Sequence, residues 1–148
     1  MVRDAATGRL GSLVHGFVVP GLAGLRISTP IVGDRLRQGA AGSPEPVVRR
    51  TFAPSGTLHG RFEVCGTKKG APVKAGFAVV REDGTMLAAS PATPLGAARD
   101  GTLSRAFGIP LDGLPAGRYE LVVVAEEEAS GERAEVREAF VVSGPDGH

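Results

Sequence analysis

LDGLPAGRYELVVV, residues 111–124, is the stretch whose reading decides the fold. Pro115 presets φ for a turn over residues 114–117, and Gly117 gives that turn a permissive backbone. The strand that follows alternates Tyr119, Leu121 and Val123 against Glu120, Val122 and Val124. A tyrosine two residues past the glycine, opening a long apolar strand, predicts the tyrosine corner of a β-sandwich. In that device the ring packs inward and the hydroxyl bonds to backbone a few residues upstream.

Working outward, the same alternation recurs. Over residues 57–65, Leu58, Gly60, Phe62 and Val64 face the core, and His59, Arg61, Glu63 and Cys65 face away. Residues 73–81 turn Val73, Ala75, Phe77 and Val79 inward, and Glu82-Asp83-Gly84-Thr85 is a hairpin signal leading to a return strand over 86–89. Residues 103–111 carry Phe107, Ile109 and Leu111 on one face, and residues 133–142 carry Val136, Phe140 and Val142. Short strands are expected at 25–28 and 47–52, an exposed turn at 66–70, a mobile loop at 33–46 and a second loop at 90–101. Seven or eight strands at spacings of roughly 8–12 residues predict an all-β, immunoglobulin-like antiparallel β-sandwich.

Composition agrees with this class and removes others. At 148 residues the chain is one domain long, and 22 Gly with 11 Pro, in no low-complexity run, supply turns between short strands. A net charge of +1 with no basic block gives no field for nucleic acid or anionic lipid. No apolar run reaches membrane-spanning length, so no membrane insertion is expected. Cys65 stands alone, which leaves no intrachain disulfide and no cysteine pair for a metal. The N-terminus has no signal-peptide core, which taken at face value keeps the chain in the cytosol unless something upstream is missing.

Residues 2–20 repeat residues 125–143 at an offset of 123. Ala6, Gly8, Phe17, Val18 and Val19 meet identical residues, and Asp4, Thr7 and Leu13 meet Glu127, Ser130 and Val136. An offset near one domain length is what tandem domains give. The expected organisation is a strand remnant of a preceding related domain or an extra N-terminal strand over 1–20, the sandwich over 21–142, and a flexible tail over 143–148. The competing reading makes residues 12–19 the first strand of this domain.

Candidate chemistry is thin. His59 and Glu63 share a strand face but lie about 13 Å apart, too far to chelate one metal. His15 and His148 have no partners in the pattern. There is no Gly-x-Ser-x-Gly elbow. Cys65 faces outward beside a turn, with only Lys68 and Lys69 near in sequence to activate it. Glu126, Glu127 and Glu128 read as a solvated hairpin tip rather than a shaped calcium loop. With no Trp and a single Tyr given to the corner, stacking of sugars is disfavoured. No catalytic residue, cofactor or metal site is expected.

The outer face of one sheet is more informative. If Tyr119, Phe140 and Phe77 point inward, then Ala78, Val80, Val122, Val124, Ala139 and Val141 point outward as an apolar block. Such a block marks an interface, unless loop 33–46 or the N-terminal strand covers it, or the register slips by one.

The pieces PGLAGLRISTPIVGD, RRTFAPSGTLHGRFEV, VKAGFAVVREDGT and IPLDGLPAGRYELVV, in that order, resemble the immunoglobulin-like or fibronectin-III-like modules found C-terminal to von Willebrand factor A-type domains in exported bacterial proteins. Cys65 stands where those modules often have tyrosine. The resemblance implies a periplasmic, envelope or secreted sandwich without catalytic residues. The expected role is a structural or protein-interaction module of a larger exported bacterial protein, with neighbouring domains of that protein or another protein as partners, and a homodimer through the apolar face or the N-terminal strand as one arrangement. The alternatives from other classes are an accessory domain of an enzyme and a module for a small ligand or carbohydrate.

Overall fold

The computed structural model describes residues 2–3, 10–11, 24–39, 42–67, 70–97 and 102–144. Among these the regular structure is all β. Strands β1 (Val2–Arg3) and β2 (Leu10–Gly11) pair with each other; then come β3 (Arg26–Ile27), β4 (Ile31–Gly33), β5 (Thr51–Phe52), β6 (Thr57–Cys65), β7 (Val73–Arg81), β8 (Met86–Pro94), β9 (Leu103–Pro110), β10 (Gly117–Glu127) and β11 (Arg133–Val142). One sheet runs β5-β11-β10-β7-β8; in the other, β6 pairs with β3 and β4 along one edge and with β9 along the opposite edge. All these ladders are antiparallel except β5 on β11, which is parallel. Two sheets in this order form the immunoglobulin-like sandwich that the strand spacing predicts.

The alternation sets the core. Leu58, Phe62 and Val64 from β6 and Phe107 and Ile109 from β9 are buried against Val73, Ala75 and Val79 of β7, Tyr119, Leu121 and Val123 of β10, and Phe140 and Val142 of β11. Each large side chain taken from water contributes about 1.5–3 kcal/mol. Gly60 is buried because its cross-strand partner Phe107 lies over it, and an added Cβ would sit 2.1 Å from Phe107 Cζ. That ring stacks on Phe77 at 4.7 Å between centroids, joining the two sheets.

The corner forms as the sequence predicts. Tyr119 is 1% exposed, and its hydroxyl donates to the Pro115 carbonyl, four residues upstream, at 2.5 Å. The hydrogen-bonded turn itself lies just before the predicted one: Leu114 N–H donates to Leu111 O at 3.0 Å, with Gly113 at φ 87°. Gly117 opens β10 at φ 159°, near the extended limit, where an added Cβ would meet nothing. Pro115 and Tyr119, rather than Gly117, therefore carry the corner.

Several expectations are corrected. The edge strand at the start is split: β4 resumes pairing with β6 after the buried Pro30. The strand expected over 47–52 is confined to Thr51–Phe52. The return strand does not stop at Ala89 but continues to Pro94 through Pro91, because β8 is an edge strand and proline costs no ladder bond on a free edge. The described residues of the loop expected over 33–46, namely 33–39 and 42–46, form an arm that carries backbone hydrogen bonds. Arg37 N–H bonds Ser43 O and Glu45 N–H bonds Arg35 O, each at 2.9 Å. Glu127 is not solvated at the hairpin tip: it is 2% exposed and accepts from Ser130 Oγ at 2.5 Å. Ser143 belongs to the fold and not to a tail, its N–H and Oγ both bonding Phe52 O at 2.9 and 3.2 Å. His15, Lys68, Lys69, His148 and most of residues 1–20 lie outside the described residues.

Candidate functional site: the outer face of the five-stranded sheet

The register fixes what the outer face presents. Val122 of β10 stands between Ala78 of β7 and Arg137 of β11; Val124 stands between Gly76 and Glu135. Glu120 stands between Val80 and Ala139, and Val141 lies opposite Arg118. All six apolar positions read from the sequence thus share this face, opposite the inward Tyr119, Leu121 and Val123. They are not one unbroken block. Ala78, Val80, Val122 and Val124 are contiguous, and β8 extends them with Met86 opposite Val80 and Ala89 opposite Ala78. Ala139 and Val141 are set apart by charge.

That charge is a ladder of ion pairs. Arg137 Nη1 donates to Glu120 at 2.9 Å across the strands, and its Nε donates to Glu135 at 2.8 Å along its own strand. The two carboxylates raise the Arg137 pKa above its ordinary value, the Glu120 hydrogen bond contributing most. Arg137 therefore sits opposite Val122 and leaves it only 8% exposed. Two shallow hollows flank the ladder. One of about 390 Å³ is lined by Val80, Arg81, Arg118, Glu120, Arg137 and Ala139. The other, of about 290 Å³, is lined by Ala78, Met86, Ala89, Val122, Val124 and Glu135, with others.

The described residues of the arm, 33–39 and 42–46, do not cover this face. Ser43 Oγ accepts from Arg61 Nη1 at 3.3 Å, and Gly42 lies against Ala106. Arg61 and Ala106 are cross-strand partners on β6 and β9, so the arm covers the outer face of the opposite sheet.

Other groups read from the sequence fall elsewhere. His59 is half-buried on β6, paired across to Gly108, and Cys65 is an exposed thiol at the end of the same strand. Glu128 forms an ion pair with Lys74, whose pKa is raised mainly by that hydrogen bond. Among the described residues no three His, Cys, Asp or Glu side chains gather as metal ligands.

Sequence reasoning missed two polar devices. Arg105, on the inward parity of β9, spans the sheets and donates to the carbonyls of Ala75, Thr93 and Pro94 at 2.5–3.1 Å. Glu138, on the inward parity of β11, pairs with Arg50 at 2.6 Å, and Arg50 also donates to Val47 O. A charge at an inward strand position was the available signal in both cases.

No family model matches this sequence, and no curated protein does. Solved structures resemble it in fold. An immunoglobulin-like protein from Pseudomonas aeruginosa is 14% identical, covering 82% of this chain and 98% of that one, with a TM-score of 0.45. A Niemann-Pick type C2 protein from the Japanese carpenter ant is 10% identical over 87% of this chain and 100% of its own, with a TM-score of 0.47. A β-glucuronidase from Bifidobacterium dentium is 19% identical over 81% of this chain and 18% of the enzyme, with a TM-score of 0.42. These weak likenesses bring no residue and no activity to this chain.

Proposed function

We propose that the domain is a non-catalytic structural or protein-interaction module of a larger exported bacterial protein, and that it docks through the outer face of its five-stranded sheet. The observation that carries this reading is the strip Ala78, Val80, Val122 and Val124, extended by Met86 and Ala89 and bordered by the Arg137–Glu120–Glu135 ladder. An apolar centre with a mixed-charge rim is the composition of a protein interface. Export and bacterial origin are supported by the resemblance of the strand segments alone. The partner is a neighbouring domain, another protein or a second copy of this chain.

Light scattering over a concentration series, with reductant to silence Cys65, tests it. Val124→Glu is the probe, because Val124 is half-exposed whereas Val122 is almost covered by its neighbours. A dimer abolished by Val124→Glu places a second copy on this face. A monomer in which Val124→Glu leaves the unfolding midpoint unchanged leaves the face free for a different partner. A loss of more than about 2 kcal/mol of stability would mean the residue is covered within the chain, and the reading fails. A dimer indifferent to the substitution would place association elsewhere and also defeats it.

A further inference from the structure

We infer that residues 2–20 are the closing hairpin and last strand of a preceding copy of this same module, so that the partner on the N-terminal side is a second sandwich of this fold. This deepens the reading above by naming one neighbour.

Three independent observations converge. The first is register. The pair β1–β2 joins Val2 to Gly11 and Arg3 to Leu10. Shifted by the repeat offset of 123, these become Ala125 with Ala134 and Glu126 with Arg133, which are the partners β10 and β11 make. The second is the turn. In the described hairpin, Glu127 accepts from Ser130 Oγ, Gly131 N–H bonds Glu127 O at 2.9 Å, and Gly131 takes φ 69°. That turn needs an acid, a hydroxyl three residues on, and then a residue free to adopt positive φ. Asp4, Thr7 and Gly8 supply the three chemistries at the same spacing.

The third is which positions match. Val136, Phe140 and Val142 are the large hydrophobic residues that β11 turns toward the core, with Phe140 and Val142 fully packed. Their counterparts Leu13, Phe17 and Val19 are all hydrophobic; on the outward parity Val18 matches Val141, whereas Glu135 and Arg137 become Ser12 and Val14, and the smaller inward Ala134 becomes Gly11. Hydrophobic residues kept at the large core positions are what a shared core requires. One departure is Pro20 in place of Ser143: proline has no N–H for the bond that Ser143 makes to Phe52 O.

The experiment completes the missing module. Residues 21–124 are placed directly before Val2, so that residues 2–20 supply its hairpin and last strand and the natural chain follows unchanged. A second chain adds Pro20→Ser to restore the lost donor. The expected result is a second cooperatively folded unit, seen as about a doubling of calorimetric unfolding enthalpy and a second protease-resistant fragment. Phe17→Asp abolishes that unit and leaves the original transition in place. The inference is overturned if neither chain forms the unit, or if the unit ignores Phe17→Asp. In the natural chain, removal of residues 1–23 leaves the midpoint within about 2 °C. Loss of cooperative folding on that deletion makes the segment this domain's own first strand and overturns the inference as well. None of these outcomes depends on the association measured by light scattering, so the two ideas fail separately.

Discussion

Tyr119→Phe isolates the hydroxyl of the corner from the packing of its ring. The ring stays stacked on Phe140 at 5.5 Å between centroids and 25° between planes, and the side chain remains 1% exposed. Only the 2.5 Å bond to Pro115 O is lost. A net intramolecular hydrogen bond is worth about 0.5–1.5 kcal/mol, rising when the abandoned acceptor stays dry. Pro115 is exposed, so its carbonyl can turn to water, which holds the cost near 1 kcal/mol. For a domain of roughly 120 residues that is about 4 °C in midpoint. In urea it is a shift of about 0.5 M with no change in slope. Tyr119→Ala removes the ring as well and costs about 3–5 kcal/mol. Equilibrium urea unfolding of the three proteins reads both numbers. The corner argument is refuted if Tyr119→Phe is indistinguishable from the natural protein, or if it is as damaging as Tyr119→Ala.

Three further outcomes follow from the packing. Gly60→Ala drives a methyl into the Phe107 ring and is expected to cost about 1–3 kcal/mol, whereas Gly84→Ala, which meets open space, is strained only by its φ of 87° and costs about 1 kcal/mol; urea midpoints compare them. Arg105→Leu deserts the three carbonyls that it bridges between the sheets and is expected to lose about 1.5–3 kcal/mol, with Arg105→Lys recovering less than half of it. Asp83 accepts from Thr85 N–H at 2.9 Å, which holds its carboxyl below the ordinary aspartate range. Its contribution to the β7–β8 hairpin is therefore present above about pH 4 and lost as pH falls through the depressed value. An NMR titration that finds Asp83 at or above the ordinary value refutes this.

The core was legible because its signal is local. Strict alternation over β6, β7 and β10 names the inward residues without any knowledge of neighbours, and Tyr119 names the corner. The outer-face positions followed from the same alternation, but the face itself did not. Whether Val122 is open or roofed by Arg137 depends on which strand lies beside β10 and in what register, and Met86 and Ala89 join only because β8 pairs with β7. Short or irregular elements were hidden for other reasons. Ile31-Val32-Gly33 is too brief to show a period, and Ser90-Pro91-Ala92-Thr93-Pro94 has loop composition although a free edge admits it as strand. Glu127 and Glu138 look like solvent residues until Ser130 and Arg50 are seen beside them.

The parallel contact of β5 with β11 also determines how the domain bears tension. Because the two strands run the same way, a force applied at the start of β5 and at the end of β11 slides one along the other instead of peeling them apart. Val141 N–H to Arg50 O, Ser143 N–H to Phe52 O and the Ser143 hydroxyl to the same carbonyl then stretch together rather than in turn. The Arg50–Glu138 ion pair stands behind them as a further tether. A load entering from the N-terminal side reaches this seam only through β3 and β4, whose short ladders to β6 give way before it.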